Sequence, residues 1–131
     1  MSLSSTRAMF EALVLTAFAS HGGEEVGDDV LVEELALLDS RFHDLPDRFE
    51  LAVKTRVLVD KVGVEDALEQ IVSRIDAADR EPTFALSVRL MLADGKTEGP
   101  EAMVLGTLQE LFALSPEAVQ RHIDDERAKK L

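Results

Sequence analysis

The sequence predicts an all-α, single-domain bundle of about seven helices. Apolar residues recur at steps of three and four along almost the whole chain, and the strict alternation of a half-buried strand is nearly absent. The 131 residues are 46% hydrophobic and 31% charged, which suits one packed core and exceeds the apolar content of a disordered acidic chain. We therefore expect one helical domain over residues 1–131.

The first three helices are delimited by glycine, aspartate and proline. The first covers residues 5–20 and stops at a Gly-Gly pair, because consecutive glycines disfavour a helix. The second starts at Asp28, whose carboxylate can accept from free backbone N–H groups, and runs to about His43. The third opens at Pro46 and ends at Gly63. Its apolar stripe consists of Phe49, Val53 and Val57.

The remaining four helices follow the same signals. The fourth covers residues 64–78 and is broken by the polar run 79–82, which ends in Pro82. The fifth, over residues 84–93, is apolar nearly all round and is expected to be the central helix of the core. Pro100 opens the sixth helix and Ser115 caps the seventh. We expect the apolar stripes to pack together as the core.

The two halves of the chain resemble each other. A shift of 73 residues lays the first helix over the fifth and the second helix over the sixth, with an acidic, glycine-containing turn within each pair. Under this shift Glu25 meets Glu98, and Asp28 meets Glu101. We expect two similar halves, at about residues 5–63 and 64–131.

The two acidic turns carry the side chains best suited to binding chemistry. The first turn carries four carboxylates within six residues, and the second carries three. They are Glu24, Glu25, Asp28 and Asp29 in the first turn, and Asp94, Glu98 and Glu101 in the second. Carboxylate oxygens are the ligands that calcium and magnesium prefer, although neither turn has the ligand spacing of an EF-hand loop. Acids at the start of a helix also cap free N–H groups and interact favourably with the helix dipole. Both explanations of the acidic turns stay open.

Composition argues against several other functions. The net charge of −12 repels the phosphate backbone of nucleic acids. The absence of Cys removes disulfides and thiolate metal sites and suits a reducing, cytoplasmic compartment. The longest mostly apolar stretch, residues 12–19, is shorter than the roughly 20 residues that span a membrane. Because the histidines lack the spacings of zinc or di-iron sites and no nucleophile motif is present, we expect no enzyme.

Two segments resemble the TerB-like family of tellurite-resistance and stress-response proteins. Residues 92–101 read LADGKTEGPE and residues 112–117 read FALSPE, which is similar to the family's Ala-Asp-Gly turn, downstream glutamate and Leu-Ser-x-Glu helix start. The matching turn of the first half, at residues 20–23, lacks the aspartate. The resemblance implies an all-helical fold with two repeated halves. It also implies a divalent cation near Asp94, Glu98 and Glu101, and near Glu25 and Asp28.

The same resemblance implies a non-enzymatic role with protein partners, including membrane-associated Ter-type complexes. From the net charge and the short apolar stretches we expect no nucleic-acid partner and no membrane insertion. Two functional hypotheses follow. In the first, the chain is a protein-interaction module that also holds calcium or magnesium at its acidic turns. In the second, it is a purely structural or homo-oligomerisation module whose acidic turns only cap helices.

Overall fold

The chain folds around its first helix. The computed structural model describes residues 3–20, 28–93 and 100–130, and these residues form eight helices and no strand. The helices are α1 (Leu3–Ser20), α2 (Asp28–Ala36), α3 (Ser40–His43), α4 (Arg48–Val62), α5 (Val64–Val72), α6 (Ala77–Ala93), α7 (Pro100–Leu111) and α8 (Pro116–Lys130). The all-α bundle predicted from the sequence is confirmed.

The central helix is α1. All residues from 8 to 17 are buried, and α1 packs against α2, α3, α4, α5, α6 and α7, most extensively against α6. Phe10 of α1 meets Phe42 of α3 edge to face, with ring centroids 5.6 Å apart. The expectation that residues 84–93 form the central helix is therefore wrong. Those residues lie in α6, which packs against α1, α7 and α8.

Most of the predicted apolar stripes do form the core, because each helix buries the face that repeats every three to four residues. The buried positions include Phe10, Leu13, Val14, Leu31, Leu35, Leu68, Ile71, Val104, Leu108 and Phe112.

The stripe of α4 is the exception, and it faces away from the core. Phe49, Val53 and Val57 are exposed, at 53%, 37% and 58% of their surface. The helix packs against α1, α2 and α5 through a different face. The fully buried positions of that face are Leu51, Ala52 and Thr55. The Thr55 hydroxyl donates to the carbonyl of Leu51 at 2.8 Å, so its burial leaves no unpaired donor.

The predicted second helix is two helices. α2 ends at Ala36, and α3 begins at Ser40 after the N-cap residue Asp39. The extended backbone of Asp39 (φ −154°, ψ 140°) interrupts the helix, and its carboxylate accepts from the backbone N–H of Arg41 at 2.8 Å. The apolar repeat across this break reflects one continuous buried surface and not one continuous helix.

The boundary between the predicted fourth and fifth helices also differs from expectation. α5 ends at Val72, and α6 begins at Ala77 and contains Pro82, so the run 79–82 does not break a helix. The side chains around the proline hold this turn. The Thr83 hydroxyl donates to the Asp79 carbonyl at 2.7 Å, and the buried Asp79 carboxylate accepts from Ser5 of α1 at 2.6 Å. One local and one tertiary hydrogen bond thus offset the bond that Pro82 cannot make.

The helix pairs that the 73-residue shift superimposes, α1 with α2 and α6 with α7, each pack together. The residues that connect each pair, 21–27 and 94–99, lie outside the described residues, and so do the acidic turns predicted there. The division of the domain into repeated halves stays a prediction.

Candidate functional site

Of the five acidic residues predicted to hold a cation, three lie outside the described ranges and two lie at the start of one. Glu25, Asp94 and Glu98 lie outside the described residues. Asp28 is the first residue of α2 and Glu101 the second residue of α7, and only their backbone is described. Within residues 3–20, 28–93 and 100–130, no group of three or more His, Cys, Asp or Glu side chains could hold a metal ion. The five-residue cation site stays a prediction.

The most distinctive surface of the described residues is the exposed side of α4. We call Phe49, Val53 and Val57 the α4 stripe. Their spacing of four places them on one side of the helix, along about 12 Å of its axis. The described residues expose five large apolar side chains. Three are the α4 stripe, and the others are Leu37, which directly follows α2, and Met103 of α7. An ordered apolar stripe of this kind is a feature of interaction sites.

The α4 helix also differs from the rest of the chain in charge. It contains four cationic and two acidic residues, a net charge of +2, whereas the whole chain carries −12. Helical geometry places Arg56 on one side of the stripe and Lys54 and Lys61 on the other. Of the two acids, Glu50 lies one turn before Lys54 on the same side of the stripe, and Asp60 lies one turn beyond Val57, in line with the stripe. Around the stripe the cations outnumber the acids.

Arg56 is held in place by α1. Its guanidinium carbon lies 5.4 Å from the ring centroid of Phe18, which is the geometry of a cation–π contact. The contact orients Arg56 beside the stripe and joins the C-terminal part of α1 to α4.

A cleft of about 390 Å³ adjoins the stripe on its Lys54 side, between α1 and α4. Glu11 of α1 lies in this cleft, with 2% of its side chain exposed. Arg74, just beyond α5, donates to both Glu11 oxygens, from Nη2 at 2.6 Å and from Nη1 at 3.4 Å. Lys54 Nζ lies farther away, at 3.9 Å from Glu11 Oε1, and the Lys54 side chain is 65% exposed.

A second buried ion pair fastens α8 to α6. Arg89 of α6 donates to both carboxylate oxygens of Glu126, from Nε at 2.9 Å and from Nη2 at 3.3 Å, and Lys129 lies 3.3 Å from the same carboxylate. Burial alone would raise the pKa of Glu126. The hydrogen bonds and positive charges of Arg89 and Lys129 outweigh burial and hold the pKa of Glu126 below its usual value. We interpret this pair as structural because it connects α6 and α8 directly.

The sequence interpretation did not identify Glu11 or its pairing with Arg74. A single charged residue inside the apolar run of α1 signals a buried charge, and a buried charge requires a partner. The identity of that partner depends on the packing of α1 against α5, because 63 positions separate Glu11 and Arg74 in the chain.

No helix within the described part of the chain is both long enough and apolar enough to cross a bilayer.

Comparison of the chain with protein-family models, with curated proteins and with solved structures found no match.

Proposed function

We propose that this chain is a non-enzymatic, TerB-like module that binds other proteins through the α4 stripe. The observation that carries the proposal is the outward orientation of Phe49, Val53 and Val57. The helix already has a separate buried face at Leu51 and Ala52, so its stripe contributes little to the core. Exposed apolar residues in an ordered row supply the anchors that protein interfaces use.

The cationic border of the stripe supports the same proposal. Lys and Arg side chains beside an apolar row orient a partner and accelerate its association. The border is local, because the remainder of the chain is strongly acidic. The choice among partner proteins at α4 would therefore depend on charge, and the apolar row would supply most of the binding energy.

The TerB-like resemblance supplies the biological setting of the proposal. On this resemblance we propose that the module acts in the cytoplasm, in stress response and tellurite resistance, alongside membrane-associated Ter-type partners. The proposal includes a divalent cation, calcium or magnesium, at the acidic turns formed by Glu25, Asp28, Asp94, Glu98 and Glu101.

The cation is tested by thermal unfolding. A ligand of the native state stabilises it by about 2.7 kcal/mol at a concentration one hundred times its dissociation constant. We expect millimolar calcium or magnesium to raise the melting temperature above that in sodium chloride of equal ionic strength, and we expect the combined variant Asp94→Asn, Glu98→Gln to lose this increase. Equal melting temperatures in both salts would remove the cation from the proposal.

The interaction surface is tested by photo-crosslinking in the host cell. A photoreactive amino acid replaces Val57 of the stripe or, as a control, Glu69, which is exposed on α5. We expect defined protein adducts at position 57, their loss when Val53→Gln is added, and no equivalent adducts at position 69. Identical adducts at both positions would contradict the proposal. Adducts of the chain only with itself would favour the oligomerisation module.

A further inference from the structure

We infer that the α4 stripe and the adjoining cleft bind an acidic amphipathic helix of another protein. This inference rests on the proposed function and specifies the class of partner. Three features of α4 lead to it: the spacing of its exposed apolar residues, the charge of its border, and the position of Lys54.

The spacing favours a helical partner. Phe49, Val53 and Val57 form a ridge of the i, i+4 type, and such ridges pack into the grooves between the ridges of a second helix. The stripe covers about 12 Å, or a little more than two helical turns. A partner helix with apolar residues at spacings of three and four would place two or three of them against it.

The border selects an acidic partner. Arg56 lies on one side of the stripe, and Lys54 and Lys61 lie on the other. A helix that carries acidic residues beside its apolar positions would place them opposite these cations, whereas a basic helix would meet like charges. With Glu50 and Asp60 counted, α4 keeps a net charge of +2, which favours an acidic partner over a basic one.

Lys54 is the cation best placed to pair with the partner. Both oxygens of Glu11 already accept hydrogen bonds from Arg74, and Lys54 Nζ is 3.9 Å away and largely exposed. Lys54 can therefore turn towards an incoming carboxylate without leaving Glu11 unpaired. The cleft beside it has a volume of about 390 Å³, room for a side chain of the partner next to Lys54. Its other cations, Arg7 and Arg74, are paired with Asp47 and Glu11, which leaves Lys54 and Glu50 at its rim.

A second copy of this chain fits the surface less well. Two α4 helices packed together would oppose two net charges of +2. The acidic helices α2 and α5 have the right charge, but both bury their apolar faces in the core. The acidic helix α7 exposes one large apolar side chain, Met103, where the stripe requires two or three. We therefore assign the surface to a different protein with an exposed apolar and acidic helix face.

The test uses a display library of helical 18-residue peptides and the full chain. Leucine is fixed at positions spaced by three and four, and the flanking positions vary among Glu, Lys and Ser. Selected peptides are then synthesised and their dissociation constants measured by fluorescence anisotropy at two salt concentrations. The variants are Val53→Gln in the stripe, Lys54→Glu in its border and, as a matched control, Met103→Gln, whose side chain is 52% exposed on α7.

We expect selection to enrich Glu over Lys at the flanking positions. Val53→Gln should weaken binding at least tenfold, Lys54→Glu should reverse the preference between Glu and Lys peptides, and Met103→Gln should change binding less than twofold. Circular dichroism verifies that each variant is folded.

The outcomes separate this inference from the proposed function. Enrichment of Lys-flanked peptides whose binding still requires Val53 would overturn the acidic partner and leave α4 as an interaction surface. Selected peptides that bind Val53→Gln as well as the wild type, or no selected peptides, would overturn both. Concentration-dependent dimers in sedimentation that Val53→Gln abolishes would identify a second copy as the occupant and overturn the inference.

Discussion

The substitution Arg74→Met is expected to lower the free energy of unfolding by about 3 kcal/mol. Arg74 donates to both oxygens of Glu11, whose side chain is 2% exposed, and loss of one partner of a buried ion pair costs about 3–5 kcal/mol. We expect the lower end of that range for two reasons. The Arg74 side chain is itself 36% exposed, so water reaches its position, and Lys54 lies 3.9 Å from Glu11 and offsets part of the unpaired charge.

The expected change is large enough to measure by thermal unfolding followed by circular dichroism. An unfolding entropy of about 2.1 cal/mol/K per residue corresponds to roughly 0.28 kcal/mol/K for this chain, so about 3 kcal/mol lowers Tm by about 11 °C. Arg121→Met is the matched control. Arg121 lies 3.4 Å from Glu81, but the two side chains are 61% and 50% exposed, and exposed pairs contribute at most about 1 kcal/mol.

A double variant isolates the cause of the loss. In Glu11→Leu, Arg74→Met both charges are replaced by apolar groups, which is often close to neutral for a buried pair. We expect the double variant to regain most of the stability that Arg74→Met loses. A decrease in Tm of less than about 3 °C for Arg74→Met, or a double variant no more stable than the single one, would refute the account of this ion pair.

Three further predictions concern backbone geometry, pH and packing. Gly63 has φ +86° and ψ 167°, a region of backbone conformation open almost only to glycine, so Gly63→Ala should lower the free energy of unfolding in urea by about 1–3 kcal/mol. Gly106→Ala, inside α7, should raise it by up to about 1 kcal/mol. Changes of the same sign for both variants would contradict this. Because the folded pKa of Glu126 is lowered, its stabilisation is complete above the ordinary value of 4.5 and is lost as the pH falls through the folded pKa. The stability gap between wild type and Glu126→Gln should therefore close in acid, and a gap independent of pH down to 3 would contradict the assignment. Phe42→Ala should lower the free energy of unfolding by about 3–5 kcal/mol because Phe42 is fully buried. Phe49→Ala should lower it by less than about 1 kcal/mol because Phe49 is exposed. Equal losses would show that the α4 stripe belongs to the core.

The sequence predicts the fold class well, and it predicts the orientation of α4 poorly. Periodicity identifies helices because a helix at the edge of a core buries a repeating apolar face, and this holds for α5 and α7, whereas α1 is buried on all sides over residues 8–17. α4 contains two apolar rows, one through Leu51 and Leu58 and one through Val53 and Val57. Which row faces inward is decided by the helices that surround it, and local sequence does not encode that choice.

Helix boundaries show a similar division. Gly63 and Pro100 mark ends that the structure keeps, because a glycine with positive φ and a proline in a first turn act locally. Pro82 does not mark an end, because the buried Asp79 carboxylate and the Thr83 hydroxyl hold the turn through hydrogen bonds. Local signals fail where a tertiary contact of comparable strength opposes them.

The position of Lys54 allows stability and binding to be separated by one substitution. Lys54 borders both the buried Glu11 and the α4 stripe, but Arg74 alone makes the close hydrogen bonds to Glu11. Lys54→Met should therefore change Tm by less than about 3 °C, as expected for a loose, exposed ion pair, and should abolish the preference for acidic over neutral peptides. A large loss of Tm would mean that Lys54 is needed to neutralise Glu11, and then Lys54 would not be available to a partner.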